Sequence, residues 1–427
     1  MVKQILSNRL FQNIGVYTVS NIINAAIPFL LLPILTRYLS TENYGIIATF
    51  QSLVGLFSFI IGLNTQTAMI RRFYDVDKVN FSEYVTTCLF ILLGSTTVLV
   101  LLLIPFSSFI SRASDFPRNW LWMVIIVSFF QYLFAVILGI WQARTRVYYY
   151  AFFQNAQTLL NLALSLLLIV YLGMNWQGRI IAQAISMTVF GLAALLLLSK
   201  MKLLKTKINK KYFADALKFG LPLIPYSFTG WILLSMDRIF INNMLGLDQT
   251  GLYSVAYQVC MIITLIQISF NTAWVPWLYT KIKKDDPLLN IKIVKFSYGF
   301  VLFNFLLAAM LALAGPAFFK LFLGKNFYQA TNFIWWLSLA QAANAIHIVA
   351  VTYLNYHNKN IYLTYSAIFT ALIHIPIIYW LIKANGTIGA AQALFISNLI
   401  TSFMTFFFAF KFHKMPWLFW LKSRTER

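Results

Sequence analysis

Charge is what this sequence lacks most. Only 10% of its 427 residues are Asp, Glu, Lys or Arg, and just 11 are acidic. Soluble chains average about 25% charged residues, so with 60% hydrophobic residues and a mean hydropathy of +0.74 an ordinary soluble domain is excluded. Cysteine is nearly absent as well. Cys88 and Cys260 each sit inside an apolar run and form no CxxC pair, which excludes a disulfide framework and a cysteine metal site. No HExxH, GxSxG or Walker A motif occurs. The expectation is a protein that is not an enzyme or an ATP-driven pump, with no cofactor and no metal beyond Na+. No small-residue cleavage site follows the first apolar run, and another such run follows at once, so the N-terminus reads as a span and not as a signal peptide.

What is present is long apolar runs and an excess of basic residues. Runs long enough to cross ~30 Å of hydrocarbon recur twelve times, over about 14–37, 43–64, 82–105, 119–141, 151–173, 179–199, 217–245, 250–278, 293–317, 329–353, 361–383 and 387–411. The 33 Lys and Arg give a net charge of +22, which in a soluble chain would suggest nucleic acid. Here the basic residues set orientation instead. With the N-terminus inside, 25 fall in cytoplasmic segments, 7 in outer ones (Arg37, Arg112, Arg118, Arg179, Lys320, Lys325, Lys383), and Arg238 lies within a span. Both termini are therefore expected in the cytoplasm of a multi-pass membrane protein. The basic inner surface suits anionic lipid heads. All outer loops are short, so no external catalytic domain is expected.

The chain repeats itself. Leu39–Gly45, LSTENYG, aligns with Leu245–Gly251, LGLDQTG, at an offset of 206; Gly178–Ser186, GRIIAQAIS, aligns with Gly389–Ser397, GAAQALFIS, at 211. Each pair occupies the same place in a six-span half, and an even number of spans gives both halves one orientation. The expected fold is all-α integral membrane, twelve transmembrane helices in two parallel six-helix repeats around a central cavity. The expected organisation is an N-terminal six-helix bundle over 1–199, a basic cytoplasmic linker over 200–216, a C-terminal bundle over 217–411 and a basic cytoplasmic tail over 412–427. Leu203, Leu204, Ile208, Phe213 and Leu217 suit a short helix in the linker, lying in the membrane interface.

LTRYLSTENYG at the first hairpin, AMIRRFY after the second span, LKFGLPLIP opening the seventh, SMDRIFI within it and GLYSVAYQ opening the eighth resemble the polysaccharide biosynthesis flippases. These handle O-antigen and capsule lipid-linked oligosaccharides and belong to the multidrug/oligosaccharidyl-lipid/polysaccharide superfamily. The resemblance covers nearly the whole chain and is most specific from Leu217 to Gln258. Twelve spans fit that family better than the fourteen of the lipid II flippases. The resemblance implies transfer of undecaprenyl-diphosphate-linked sugar units from the cytoplasmic to the outer leaflet by alternating access, without ATP. It also implies partners: the lipid-linked oligosaccharide, membrane lipids, and a polysaccharide polymerase and chain-length regulator. Nucleic acid is not among them. Two rivals stand beside it, a multidrug or toxin exporter of the same superfamily and an integral-membrane polymerase or glycosyltransferase.

Given such a substrate, arginine suits the diphosphate, because its planar fork binds phosphate oxygens in pairs and it stays protonated. Arg71 and Arg72 after span two, and Arg144 and Arg146 after span four, stand at the expected inner mouth, where they either collect the headgroup or only mark orientation. Arg37 ends span one, as part of an outer gate or as a residue reaching for the interface. Arg238 is a cation inside a span, and intramembrane ions default to function. Its neighbour Asp237 lies about 100° around the helix. The expected division sends Arg238 to a substrate cavity and Asp237 to a coupling cation, Na+ or H+. By resemblance to the lipid II flippases, Asp237 would share that cation with span eleven and twelve groups such as Ser366, Thr370, Asn398 and Thr401. Asn21 and Asn24 share a face of span one, where Pro28 and Pro33 suggest a bend that frees carbonyls; Asn24 is a further substrate candidate. His374 reads as a proton carrier or a hydrogen-bonded core histidine. Trp274, Trp277, Trp335 and Trp336 read as sugar platforms or interfacial belts.

Overall fold

The computed structural model describes residues 2–75, 79–205, 208–282 and 286–417. Part of the expected tail, from residue 418, and Lys207 of the expected linker lie outside the described residues. The described residues form helices and no strand: α1 Val2–Tyr38, α2 Thr41–Ile60, α3 Thr65–Arg72, α4 Phe81–Ser114, α5 Leu121–Ala143, α6 Val147–Leu166, α7 Trp176–Lys200, α8 Lys210–Gly220, α9 Leu223–Leu245, α10 Leu247–Ile282, α11 Pro287–Phe322, α12 Thr331–Tyr356, α13 Ile361–Asn385 and α14 Thr387–Phe412. Among the described residues, twelve helical segments are long and apolar enough to cross a membrane, as the apolar runs predict. This is a multi-pass integral membrane protein, because in lipid every backbone polar group must be satisfied within the helix. The helix of the linker is confined to α8, which leaves Leu203, Leu204 and Ile208 outside it, and α1 runs helical through Pro28 and Pro33.

The chain forms two compact units, Met1–Gly251 and Leu252–Arg427, with the boundary inside α10. In the first, α2 and α5 are the most enclosed spans, about two thirds of each buried, whereas α6 is only 22% buried. The apolar core around them includes Phe50, Val124, Leu133 and Ile137. In the second unit, Trp274, Phe300, Tyr353 and Trp417 anchor a cluster in which the Phe270 and Phe300 rings stack. Leu306 and Leu313 of α11 stay exposed, which suits a face that meets acyl chains.

The repeat has a steric cause. A Cβ on Gly45 would strike the carbonyl oxygen of Leu247, and one on Gly251 would strike that of Thr41. The paired glycines thus let the first turns of α2 and α10 cross backbone to backbone, and Thr41 Oγ1 donates to Asp248 there. Gly178 and Gly389 also match. A Cβ on Gly178 would crowd Leu168, Ile169 and Met174, and one on Gly389 would strike Leu381. Each lets the sixth span of its half start against the end of the fifth.

Candidate functional site

The first unit carries an intramembrane polar seam built mainly on α6. Its residues Gln154, Thr158, Asn161 and Ser165 recur at helical spacing along one face. That face is polar while Phe152 and Leu159 on the same helix are exposed and apolar, so α6 has one side for lipid and one for polar partners. Asn24 of α1 donates from Nδ2 to Asn155 Oδ1 at 2.5 Å and accepts from Thr158 Oγ1. Ser20 Oγ donates to Gln154 and Asn155, both at 3.4 Å. On α7, Ser186 accepts from Gln157 Nε2 at 3.3 Å, and Gln183 accepts from Gln51 of α2 at 2.5 Å. Arg179 closes the seam: its Nη1 donates to Asn161 Oδ1 at 2.6 Å and to Ser165 Oγ at 2.8 Å.

Tyr44, near the start of α2, lies within electrostatic reach of both Arg179 and Arg238. Arg238 is partly buried on α9, and its Nη1 bonds the Leu234 carbonyl at 2.5 Å, back toward the helix middle. Asp237 is 2% exposed, more deeply buried than Arg238 beside it. α9 is fixed against α2 by Trp231, whose indole donates to the Ser52 carbonyl at 2.8 Å. Asn242 and Asn243 tie its far end to the carbonyls of Ser114 and Ala113 at 2.5 and 2.7 Å.

Toward the opposite end of α2 the backbone breaks. Gly62, Leu63 and Asn64 take φ of 77°, 51° and 56° in succession, left-handed geometry that costs energy at Leu63, where no glycine stands. The break is held from several sides. Ser95 accepts from the Gly62 N–H at 2.9 Å, Thr65 pairs with Tyr132 at 2.7 Å, and Asn64 Nδ2 reaches Ser227 of α9 at 3.1 Å. A cavity of about 270 Å3 opens beside it, lined by Ser58, Asn64, Gln66, Gln131, Tyr132 and Ser227 among others. A larger one of about 600 Å3 is lined almost wholly by apolar groups such as Phe57, Phe90, Phe106 and Phe213. Size therefore does not find the polar site in this protein.

The four arginines expected at the inner mouth gather at this end, in different states. Arg72 is clamped: Nε and Nη2 meet Asp215 of α8 at 3.0 and 2.6 Å, and Nη1 meets Asp75 at 2.8 Å. Tyr84 adds a hydrogen bond to Asp215 at 2.9 Å. The bonds to Asp215, then to Asp75, raise the Arg72 pKa further above its ordinary value, so the clamp keeps its cation throughout. The fork expected to meet a headgroup is engaged here by carboxylates. Arg71 is exposed over the Phe219 ring, 5.1 Å from its centroid. Arg144 lies over Phe73 at 6.0 Å and Arg146 over Tyr149 at 5.6 Å. Arg37 is exposed at the end of α1.

The second unit holds Asn398 and Thr401. Asn398 Nδ2 donates to the Ala340 carbonyl at 2.8 Å; Thr401 Oγ1 donates to Thr370 Oγ1 and to the Ser397 carbonyl, both at 3.0 Å. His374 is buried with Nδ1 2.8 Å from Ser397 Oγ. Trp274 is a core residue stacked on Phe270, whereas Trp335 is exposed. Among the described residues no cluster of three His, Cys, Asp or Glu could hold a metal. Arg179, counted from the sequence as an outer-loop marker, is instead a hydrogen-bonded member of the seam.

A family model described as "Polysaccharide biosynthesis protein" matches residues 10–280. "Lsg locus putative protein 1" of Haemophilus influenzae is 25% identical over 410 residues, covering 92% of this chain and 98% of that protein. An "Uncharacterized membrane protein" of the same organism is 24% identical over 376 residues, covering 86% and 89%. Among solved structures, "Lipid II flippase MurJ, inward closed conformation" aligns with TM-score 0.75 at 14% identity, over 93% of this chain and 87% of that one. An "Inward-facing conformation of a multidrug resistance MATE family transporter of the MOP superfamily" aligns with TM-score 0.72 at 15% identity, over 91% and 93%. At these identities the structures speak for the fold, which is the two-repeat, twelve-helix fold expected.

Proposed function

Because the chain belongs to the polysaccharide biosynthesis protein family, we propose that it is a flippase for undecaprenyl-diphosphate-linked oligosaccharide repeat units. It carries them from the cytoplasmic to the outer leaflet of the bacterial inner membrane by alternating access, with both termini in the cytoplasm. The observation that carries this reading is the seam of amides and hydroxyls in the first unit, which ends at Arg179, Tyr44 and Arg238. A diphosphate and its sugars cannot enter hydrocarbon unpaired. Amides and hydroxyls offer sugars both donors and acceptors, and guanidinium forks offer the diphosphate a paired bond. Asn24 belongs to the sugar-facing part in this reading, Arg238 to the phosphate path, and Arg71, Arg144 and Arg146 to headgroup collection at the inner mouth. Transfer without ATP needs a gradient, and Asp237 is the carboxylate proposed to bind the coupling Na+ or proton.

The likeness to a multidrug transporter of the same fold supports a second reading, export of small organic molecules. Organic cations would call for acidic groups along the seam, and its charged members are arginines. The deciding experiment is deletion of the gene in its own host. The flippase reading expects loss of surface polysaccharide with accumulation of lipid-linked repeat units facing the cytoplasm, restored by the gene in trans. Intact polysaccharide with new sensitivity to organic cations would replace it with the export reading.

A further inference from the structure

Arg179 sits four residues into α7, where an interfacial arginine would turn toward the water at the Trp176 end. Helix geometry favours the same direction, since side chains lean toward the helix N-terminus. Its guanidinium goes the other way. The neighbouring Gly178 packs against Leu168 and Ile169, yet Arg179 bonds Ser165 and Asn161, which lie successive turns deeper along that helix. Both bonds come from Nη1, leaving the Nε–Nη2 edge, the edge that pairs with two oxygens of one anion. Among the described residues its hydrogen-bond partners are neutral side chains, and no carboxylate contacts it. A guanidinium held inside a membrane-spanning helix pair by neutral side chains is a site short of negative charge.

We propose that Arg179, positioned by Asn161 and Ser165, forms an intramembrane subsite for a phosphate ester. It is distinct from the arginines of the inner mouth, and it takes the diphosphate head of a polyprenyl-linked substrate. This rests on the flippase reading and gives that reading a second anion contact, on α7, beside Arg238 on α9. Asn161 and Ser165 fix the Nη1 side of the fork so that its other edge meets the phosphate without reordering.

The test uses the purified full chain in phosphatidylcholine nanodiscs, titrated separately with undecaprenyl diphosphate, undecaprenol and phosphatidylglycerol. Arg179→Gln should weaken undecaprenyl diphosphate binding at least ten-fold and leave undecaprenol binding unchanged. Arg179→Lys should lose part of the affinity, because a point charge replaces a fork, and Asn161→Ala a smaller part. The lysine and alanine variants retain the test if the glutamine variant misfolds. Wild-type affinity for the diphosphate in Arg179→Gln overturns the subsite and leaves the flippase reading standing. Equal loss of phosphatidylglycerol binding overturns it too, by making the site one for bulk lipid heads. Failure of the wild-type chain to bind undecaprenyl diphosphate overturns both.

Discussion

In the second unit, Gln267 of α10 donates to Asn304 Oδ1 at 2.9 Å and to the Gln341 carbonyl at 2.8 Å, and accepts from Asn344 at 3.1 Å. Thr264 closes the group on Gln341 Oε1 at 2.9 Å, and Gln267 and Asn304 have no exposed surface. In the first unit, Asn24, Asn155, Thr158, Asn161 and Arg179 form a comparable number of bonds but remain half-buried. Both sets are polar residues inside membrane-spanning helices, where no hydrophobic force drives helix against helix. The second unit's set works as glue around Gln267 and Asn304, which are fully enclosed and meet other side chains and the main chain, while Thr264 and Asn344 at its margin are half-buried. The half-buried set keeps some surface exposed and includes a cation, Arg179, held by neutral side chains. Polarity alone does not mark a site in such a protein; polarity with remaining exposure and unbalanced charge does.

The largest expected effect falls on the charged end of the seam. Arg238→Ala should abolish transport while the protein still inserts at normal abundance, and Arg238→Lys should recover part of it. Complementation of the deletion strain, with membrane abundance measured in parallel, decides this. Full activity in the alanine variant would remove Arg238 from the path and erase the contrast between the units.

Next comes Asp237, buried on the helix that carries Arg238. Its repeat counterpart at offset 206, Leu31, is buried and apolar, so the carboxylate is not duplicated. Asp237→Asn should keep lipid-linked sugar binding and lose the response of reconstituted transport to sodium or pH gradients. A variant that responds to both gradients as the wild type does makes Asp237 structural. Asn398→Ala and Thr401→Ala, examined the same way, would separate a coupling role from the hydrogen bonds that these residues already make within their own unit.

A paired substitution tests the comparison directly. Gln267→Leu strands Asn304 Oδ1 in an enclosed place and takes the partner of the half-buried Asn344, and an unsatisfied buried polar group costs about 1–3 kcal/mol. Asn155→Leu affects groups that solvent can still satisfy. Thermal unfolding in one detergent should drop by several degrees for the first and hardly move for the second, while transport should fall more in the second. The reverse order would mean that the seam is the glue.

Twelve spans were legible because hydrocarbon thickness fixes the length of each run. The glycine pairs were legible as a pattern, but the reason for Gly45 and Gly251 lies in a backbone crossing between segments about 200 residues apart, whereas Gly178 and Gly389 each meet the end of the preceding span. Arg179 was hidden by its position. It follows the short break at Gly173–Asn175, where counting basic residues assigns it to a loop, and nothing in a count records which way a side chain turns. A weak signal existed: Asn161 and Ser165 are four apart on the preceding span and share a face. Arg72 was hidden for another reason. Its partner Asp215 lies 143 residues away, in a segment read as a basic linker.

That clamp yields the smallest expected effect. Arg72 and Asp215 are each about one third exposed, so despite good geometry the pair stands near the surface class, worth roughly 0.2–1 kcal/mol. Asp215→Asn should therefore lower stability only slightly, as judged by thermal unfolding. Its effect on function separates two roles for Arg72. As a clamp holding α8 to α3, Arg72 loses its strongest partner in the variant, and α8 should become more open to proteolysis while substrate affinity stays unchanged. As a headgroup collector held in reserve, Arg72 gains a free fork, and binding of undecaprenyl diphosphate should tighten with a steeper dependence on salt. Arg72→Ala distinguishes the two again: it loosens α8 in both cases but lowers affinity only in the second. The geometry favours the clamp, because three guanidinium nitrogens are already committed to two carboxylates, and a phosphate would have to displace a paired bond to enter.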